Sequence, residues 1–413
     1  MEDGRWRWRF RSSISSNTSP NNRRIDLMSD PSSKSPRVMI VAGEASGDLH
    51  GGALAEALLK KAPSLQLIGF GGSAMRRAGV EILFDVSRLG VVGIFEVLLH
   101  LRSVWEAYRL AVQTLRSGVD LLVLVDYPDF NLRLAKAAKR LGIPVVYYIS
   151  PQIWAWRSGR IKTIAERVDL MLVLFPFEKE IYAKAGVPCE FVGHPLVDEA
   201  ASVRLKYPSK TAYLEGIGFS PSGITVGILP GSRMREVSSL LPEMLQAMVS
   251  LSKDFPNLQL LIPVAPSLSK EWIADLARPY AIPIRCVEGE FQEVLRASEV
   301  VVVASGTATL QTALARTPMV IVYKVSPLTF WIARRLVRLK SFGLVNIVAG
   351  APIVPELLQE GATAERIQAE VGRLLKEDGA RERMKQALKE VADRLGAAGA
   401  SSRAAGIILE KLK

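Results

Sequence analysis

The sequence predicts an α/β protein of two doubly wound halves that face a cleft, closed by C-terminal helices. Three observations predict this. Short apolar runs rich in β-branched residues alternate with amphipathic stretches. The runs are continuously apolar, as in parallel strands buried on both faces. The alternation breaks off in a polar segment, Asp198–Ser222, and then starts again.

In the first half the expected strands are Val38–Ala42, Leu65–Phe70, Leu121–Val125, Val145–Ile149 and Leu170–Phe175. Helices are expected over Gly52–Lys61, Ser73–Ala78 and Asn131–Leu141. In the second half the strands are Thr225–Leu229, Gln259–Pro263, Ile284–Val287, Val300–Ala304 and Met319–Tyr323, with a helix over Glu236–Phe255. The domain reading is a leader (1–36), a first half (37–200), a linker with a short helix (201–222), a second half (223–360) and terminal helices (361–413).

At 413 residues and 49% hydrophobic content, two or three globular domains are expected. Two cysteines, Cys189 and Cys286, exclude a disulfide-dense scaffold and a zinc ribbon. His50, His100 and His194 show no metal-ligand spacing. A dedicated protein-bound transition metal is therefore not expected, and no cofactor is assigned. No uncharged run reaches the roughly 18 residues that a spanning helix needs. The net charge of +12 points to a polyanionic partner. Half of that excess lies in residues 316–355, around the amphipathic basic stretch Phe330–Lys340. Such a charge suits nucleic acid, an anionic membrane surface or phosphorylated substrates. No nucleic-acid recognition motif accompanies it.

The leader is rich in Arg and Ser and has no apolar core. Arg5, Arg7, Arg9 and Arg11 interleave with Trp6, Trp8 and Phe10. This composition fits an organellar transit peptide, with Glu2 and Asp3 counting against it and a disordered tail as the plainer reading.

In open parallel sheets ligands bind beyond the carboxyl ends of the strands. The loop Gly43-Glu44-Ala45-Ser46-Gly47-Asp48 follows the first strand and lacks the spacing of a dinucleotide fingerprint. Ser46 or Asp48 could equally cap the next helix. Asp126-Tyr127-Pro128-Asp129 places two carboxylates at a strand end, where a general base belongs or a cap can form. Ser150–Arg157 carries Trp154 and Trp156, suited to a sugar, an acyl chain or interdomain packing. His194 is read as a hydrogen-bonding wall residue. Leu229-Pro230-Gly231-Ser232-Arg233 and Ser305-Gly306-Thr307 each open a helix. Together they suit a diphosphate.

Eight blocks occur in order: GEASGD (43–48), VGIFEVL (92–98), DYPDFN (126–131), SPQIWAWR (150–157), FPFE (175–178), FVGHPL (191–196), LPGSR (229–233) and SGTATLQ (305–311). Together they resemble the lipid-A-disaccharide synthases, glycosyltransferases of the two-Rossmann-domain (GT-B) type, in a eukaryotic, plant-type organellar version. The resemblance runs from about Arg37 to the C-terminus. It implies metal-free, inverting transfer of diacylglucosamine from its UDP donor to the 6-hydroxyl of diacylglucosamine 1-phosphate. It implies Asp129 as the base, with Asp126 second. Arg233, Ser305, Gly306 and Thr307 would hold the diphosphate, and Glu44 and Ser46 would line the acceptor or sugar side. Asn346 matches a site Asn of the family. Gln311 stands where bacterial members usually carry a Glu, which would bind the ribose; a neutral amide should bond less strongly. The apolar stretch Val91–Leu101 would accept acyl chains or touch the bilayer, or else pack as an ordinary core helix. A mitochondrial, peripherally membrane-associated protein is expected, with plastid or cytosol as alternatives, and the resemblance leaves room for a homo-oligomer. The rival readings are another GT-B UDP-GlcNAc transferase or 2-epimerase, and an inactive nucleotide-sugar or lipid binder.

Overall fold

The computed structural model describes residues 35–86, 96–154, 159–325 and 341–412. The leader's first 34 residues, Trp156, Arg157 and the basic stretch Phe330–Lys340 lie outside these, as do residues 91–95 of the apolar stretch. A helix, Glu96–Arg116, takes in the rest of that stretch.

The first sheet contains β1 (Arg37–Ala42), β2 (Gln66–Gly71), β3 (Glu81–Asp85), β4 (Leu121–Val125), β5 (Val145–Tyr148), β6 (Leu170–Val173) and β7 (Cys189–Phe191). All are parallel, in the order β3-β2-β1-β4-β5-β6-β7. The second contains β8 (Ile224–Leu229), β9 (Leu258–Val264), β10 (Ile284–Glu288), β11 (Val300–Ala304), β12 (Met319–Tyr323) and β13 (Glu356–Leu358). It too is parallel, in the order β10-β9-β8-β11-β12-β13. The continuous apolar runs are explained by burial on both faces. Val38 and Ile40 of β1 enter one core cluster, and Met39 and Val41 enter another on the opposite face.

The strand order reverses between β1 and β4, and again between β8 and β11. In this architecture those switch points are where ligands bind. Ala42 is paired with Val125, so the loops beginning at Gly43 and Asp126 start side by side. Val303 is paired with Leu229, which does the same for the loops at Pro230 and Ser305.

Three edge or near-edge strands, β3, β7 and β13, were not expected. The strand expected over Val145–Ile149 stops at Tyr148, because Ile149 turns left-handed at φ 68°. The helix expected from Asn131 begins at Pro128, whose fixed φ and missing N–H suit a first turn. The last helix, Ala400–Glu410, returns to the first half and packs on the helix Ala45–Lys61. There Arg403 Nε donates to the Val192 carbonyl (2.8 Å), and the Asp198 carboxylate accepts from the N–H groups of Gly399 and Ala400. Among the described residues no helix is long and apolar enough to cross a membrane.

Candidate active site

Two cavities lie at the switch points. One, of about 550 Å³, is walled mainly by the first half and includes Ser46, His50, Asp126, Arg160, Glu178 and His194. The other, of about 680 Å³, is walled mainly by the second half and includes Gly231, Arg233, Glu236, Ser305 and Gly306. Glu199, Thr307 and Gln311 border both, so the cavities adjoin there.

In the first cavity, Asp126 and Tyr127 are both left-handed, at φ 47° and 48°. Consecutive non-glycine residues in that region are costly and need outside support. The Asp126 carbonyl accepts two short hydrogen bonds, from Asn131 Nδ2 and from the Tyr147 hydroxyl, each 2.6 Å. Burial raises the Asp126 carboxyl above its usual range. The hydrogen bond from the Tyr127 backbone opposes this, and the charge of Glu44 adds to it. Glu44 itself is exposed, at the N-terminus of the helix Ala45–Lys61. Asp129 stands on the rim with its side chain 74% exposed and ion-paired to Arg160, which lines the cavity. The sequence-predicted carboxylates are thus split: Asp126 lines the cavity, and Asp129 stands just outside its lining, next to Pro128 and paired to Arg160, which both line it.

Ser46 lines this cavity, whereas Asp48 turns away from it. Asp48 is buried and does not cap its own helix. Its carboxylate accepts from Gly72, Ala74 and Met75 N–H (2.6–3.0 Å) at the start of the helix Ser73–Arg77. His194 is a wall residue as expected: its Nδ1 accepts from Leu196 N–H at 3.2 Å. Burial, aided by nearby His50, pushes His194 down to about 4.

In the second cavity, Arg233 is exposed at the start of the helix Met234–Leu251. Gly231 has φ 112°, and a Cβ there would strike the Glu236 carboxylate. Ser305 is partly committed: its N–H donates to the Val322 carbonyl (3.0 Å) and its hydroxyl to the Phe342 carbonyl (3.2 Å). Gly306 and Thr307 open the helix Thr307–Leu314, whose N-terminus has no side-chain cap among the described residues.

Asn346, like Glu44 and Asp129, is not among the residues lining either cavity. It is buried, and its amide is spent on holding the chain. Nδ2 donates to the Val354 carbonyl and Glu356 Oε1, and Oδ1 accepts from Ile353 and Val354 N–H. Its physical role is to brace the helix Leu344–Ala349 against β13.

A model of the lipid-A-disaccharide synthetase family matches residues 38–409. The lipid-A-disaccharide synthase of Geobacter sulfurreducens is 45% identical over 379 residues, covering 92% of this chain and 98% of that protein. The Myxococcus xanthus enzyme of the same name is 44% identical, over 91% of this chain and 98% of that one. The chain belongs to the lipid-A-disaccharide synthase family.

Solved structures agree on the fold of this lipid-A-disaccharide synthase family member. Acinetobacter baumannii MurG aligns with a TM-score of 0.57 at 14% identity, over 91% of this chain and all of that one. An S. aureus MnaA–UDP co-structure aligns at 0.61 with 13% identity, over 90% and 96%. The relatives named here are bacterial, so an organellar version is not shown by them.

Several site residues escaped the sequence reading: Arg160, Glu178, Tyr147 and His50. Glu178 was visible only as the last letter of FPFE, beside a helix-starting proline. Tyr147 was hidden inside an apolar strand. Their partners are distant in sequence, so local spacing carried no signal.

Proposed function

We propose that the chain transfers diacylglucosamine from its UDP donor to the 6-hydroxyl of diacylglucosamine 1-phosphate, with inversion, releasing UDP and a β-1,6-linked disaccharide. The observation that carries this is the meeting of two cavities at Thr307 and Gln311. One is walled by carboxylates; the other is bordered by a cation and an uncapped helix N-terminus. An inverting displacement needs a base on the attacking hydroxyl and charge stabilisation for the leaving diphosphate.

In this reading the acceptor occupies the first cavity. Asp129, at the lip, takes the hydroxyl proton, with Arg160 fixing its position; Asp126 is the second choice. Glu44 and Ser46 border the acceptor. The UDP moiety occupies the second cavity. Arg233 and the amides of Gly306 and Thr307 stabilise the departing diphosphate, work done electrostatically and strongest in a water-poor site. Gln311 reaches the ribose. Asn346 completes the substrate site in this reading, on the segment its amide braces. The basic excess in 316–355 supports work at an anionic membrane surface, and the Arg-rich leader supports import into a mitochondrion. Self-association belongs to the same reading and is testable by light scattering.

The test is incubation of residues 37–413 with both substrates and detection of disaccharide by mass spectrometry. Product is expected from the wild type and almost none from Asp129→Ala. A folded, UDP-binding wild type that makes no disaccharide would contradict the assignment. Fusion of residues 1–36 to a reporter tests import, and a diffuse cytosolic signal would contradict it.

A further inference from the structure

The loop after β5 forms one wall of the first cavity through Ile149, Ser150, Pro151, Gln152 and Ile153. It begins on Ile149, a β-branched residue held left-handed at φ 68°. That conformation is unfavourable for such a side chain and persists only where the surroundings enforce it.

The enforcement comes from the helix Pro176–Lys184. Glu178 and Tyr182 lie one turn apart on it and so share a face. The Tyr182 hydroxyl and Ser150 Oγ are hydrogen-bonded at 2.7 Å. Trp154 Nε1 donates to Glu178 Oε1 at 3.1 Å. Both ends of the loop are thereby tied to one helical turn. The other Glu178 oxygen accepts from Phe175 N–H at 3.1 Å. The Trp154 ring also meets Phe177 edge-on (5.3 Å), Phe177 stacks on Phe175 (5.5 Å), and Phe175 contacts His194 (5.2 Å). An aromatic row thus links the loop to His194, another lining residue of the cavity.

Glu178 is only 2% exposed. The groups facing it are the Trp154 indole, the Ser150 and Tyr182 hydroxyls, the Cys189 thiol and the amides of Leu174 and Phe175, and burial pushes its carboxyl up to about 7. A purely structural tie would be made more cheaply by a neutral side chain, because burying a carboxylate among neutral donors is expensive.

We propose that Glu178 is a positioning residue for the transfer reaction: with Tyr182 it holds the Ile149–Trp154 loop in its left-handed turn, and that loop's inner face seats the sugar ring of the acceptor. This rests on assigning the first cavity to the acceptor.

The experiment uses the full chain and four proteins: wild type, Glu178→Ala, Glu178→Gln and Trp154→Phe. Initial rates are measured against each substrate across pH 6–8, and UDP binding is measured by calorimetry. Glu178→Ala should lower kcat/KM for the acceptor about tenfold to a hundredfold, the scale of a misplaced reactant. UDP affinity should not change. Glu178→Gln, whose carbonyl can still accept the indole N–H, should recover part of the loss. The wild type should show a change in acceptor KM across pH 6–8, and Glu178→Gln should lack it. Trp154→Phe removes only the N–H donor and carries the test if Glu178→Ala does not fold. An unchanged acceptor kcat/KM in Trp154→Phe would overturn the proposal, as would an equal loss of UDP affinity in every variant. A wild type that binds UDP but makes no disaccharide would instead overturn the acceptor assignment beneath it.

Discussion

The ring of Tyr127 lies directly against the backbone of Gly43. A Cβ on Gly43 would come within 2.1 Å of the ring's Cγ and 2.6 Å of its Cβ. Two loops from different strands are thereby locked at the first switch point, one carrying Ser46 and the other Asp126 and Asp129. Gly43 is required for this close approach, not for an unusual φ.

Gly43→Ala should therefore displace Tyr127 and lower both stability and transfer rate. The loss should shrink in a Tyr127→Ala background. Contacting residues typically couple by about 1–2 kcal/mol. Thermal denaturation of the two single variants and the double variant measures that coupling. Strict additivity would show that the contact carries no energy.

The two carboxylates should separate by substitution. Asparagine preserves the shape of either side chain but cannot take a proton. Asp129→Asn should lower kcat by about 10²–10⁴, the usual weight of a general base. UDP affinity should stay constant. Asp126→Asn should cost less, because that side chain sits in the wall, its main-chain carbonyl held by Asn131 and Tyr147. The reverse ranking in steady-state rates would exchange their roles.

Gln311 borders both cavities and offers the donor a neutral partner. Gln311→Glu would make a charge-assisted bond to a ribose hydroxyl. A gain of roughly 1 kcal/mol, about fivefold in donor KM, is expected. An unchanged donor KM would remove Gln311 from the nucleotide site.

Glu178 and His194 give opposite pH slopes to stability. The Glu178 carboxyl moves from 4.5 up to about 7. Its contribution is complete below pH 4.5 and is lost as pH rises through 7. His194 moves from 6.5 down to about 4. Its contribution is complete above pH 6.5 and is lost as pH falls through 4. Each spans roughly 3 kcal/mol at most. Between pH 4.5 and 6.5 the two nearly cancel in the wild type. Glu178→Gln should unmask the His194 slope, so that stability rises across that interval. Urea titrations at pH 4.5, 5.5 and 6.5 would show it, and parallel behaviour of the two proteins would contradict it.

The loops were legible because parallel strands buried on both faces leave an unmistakable apolar signature, and each candidate loop simply follows one. The strands β3, β7 and β13 were not, because EILFD, CEF and ELL are short, each carries an acidic residue, and they are only partly buried. Asp48 and Asn346 both use their polar atoms to brace the chain, a role that sequence spacing does not reveal. Asp48 does so 24 to 27 residues away. Glu178 shows the converse. Nothing within FPFE singles it out, and the fold alone brings Trp154 to it.

The most direct test of transfer between the two cavities counts both products at once. Wild-type protein is incubated with UDP-diacylglucosamine and diacylglucosamine 1-phosphate, and UDP and disaccharide are quantified over a time course. Equal amounts of each, with no UDP released when the acceptor is omitted, are expected. UDP release without disaccharide, or turnover of the donor alone, would contradict the account and favour an epimerase or hydrolase.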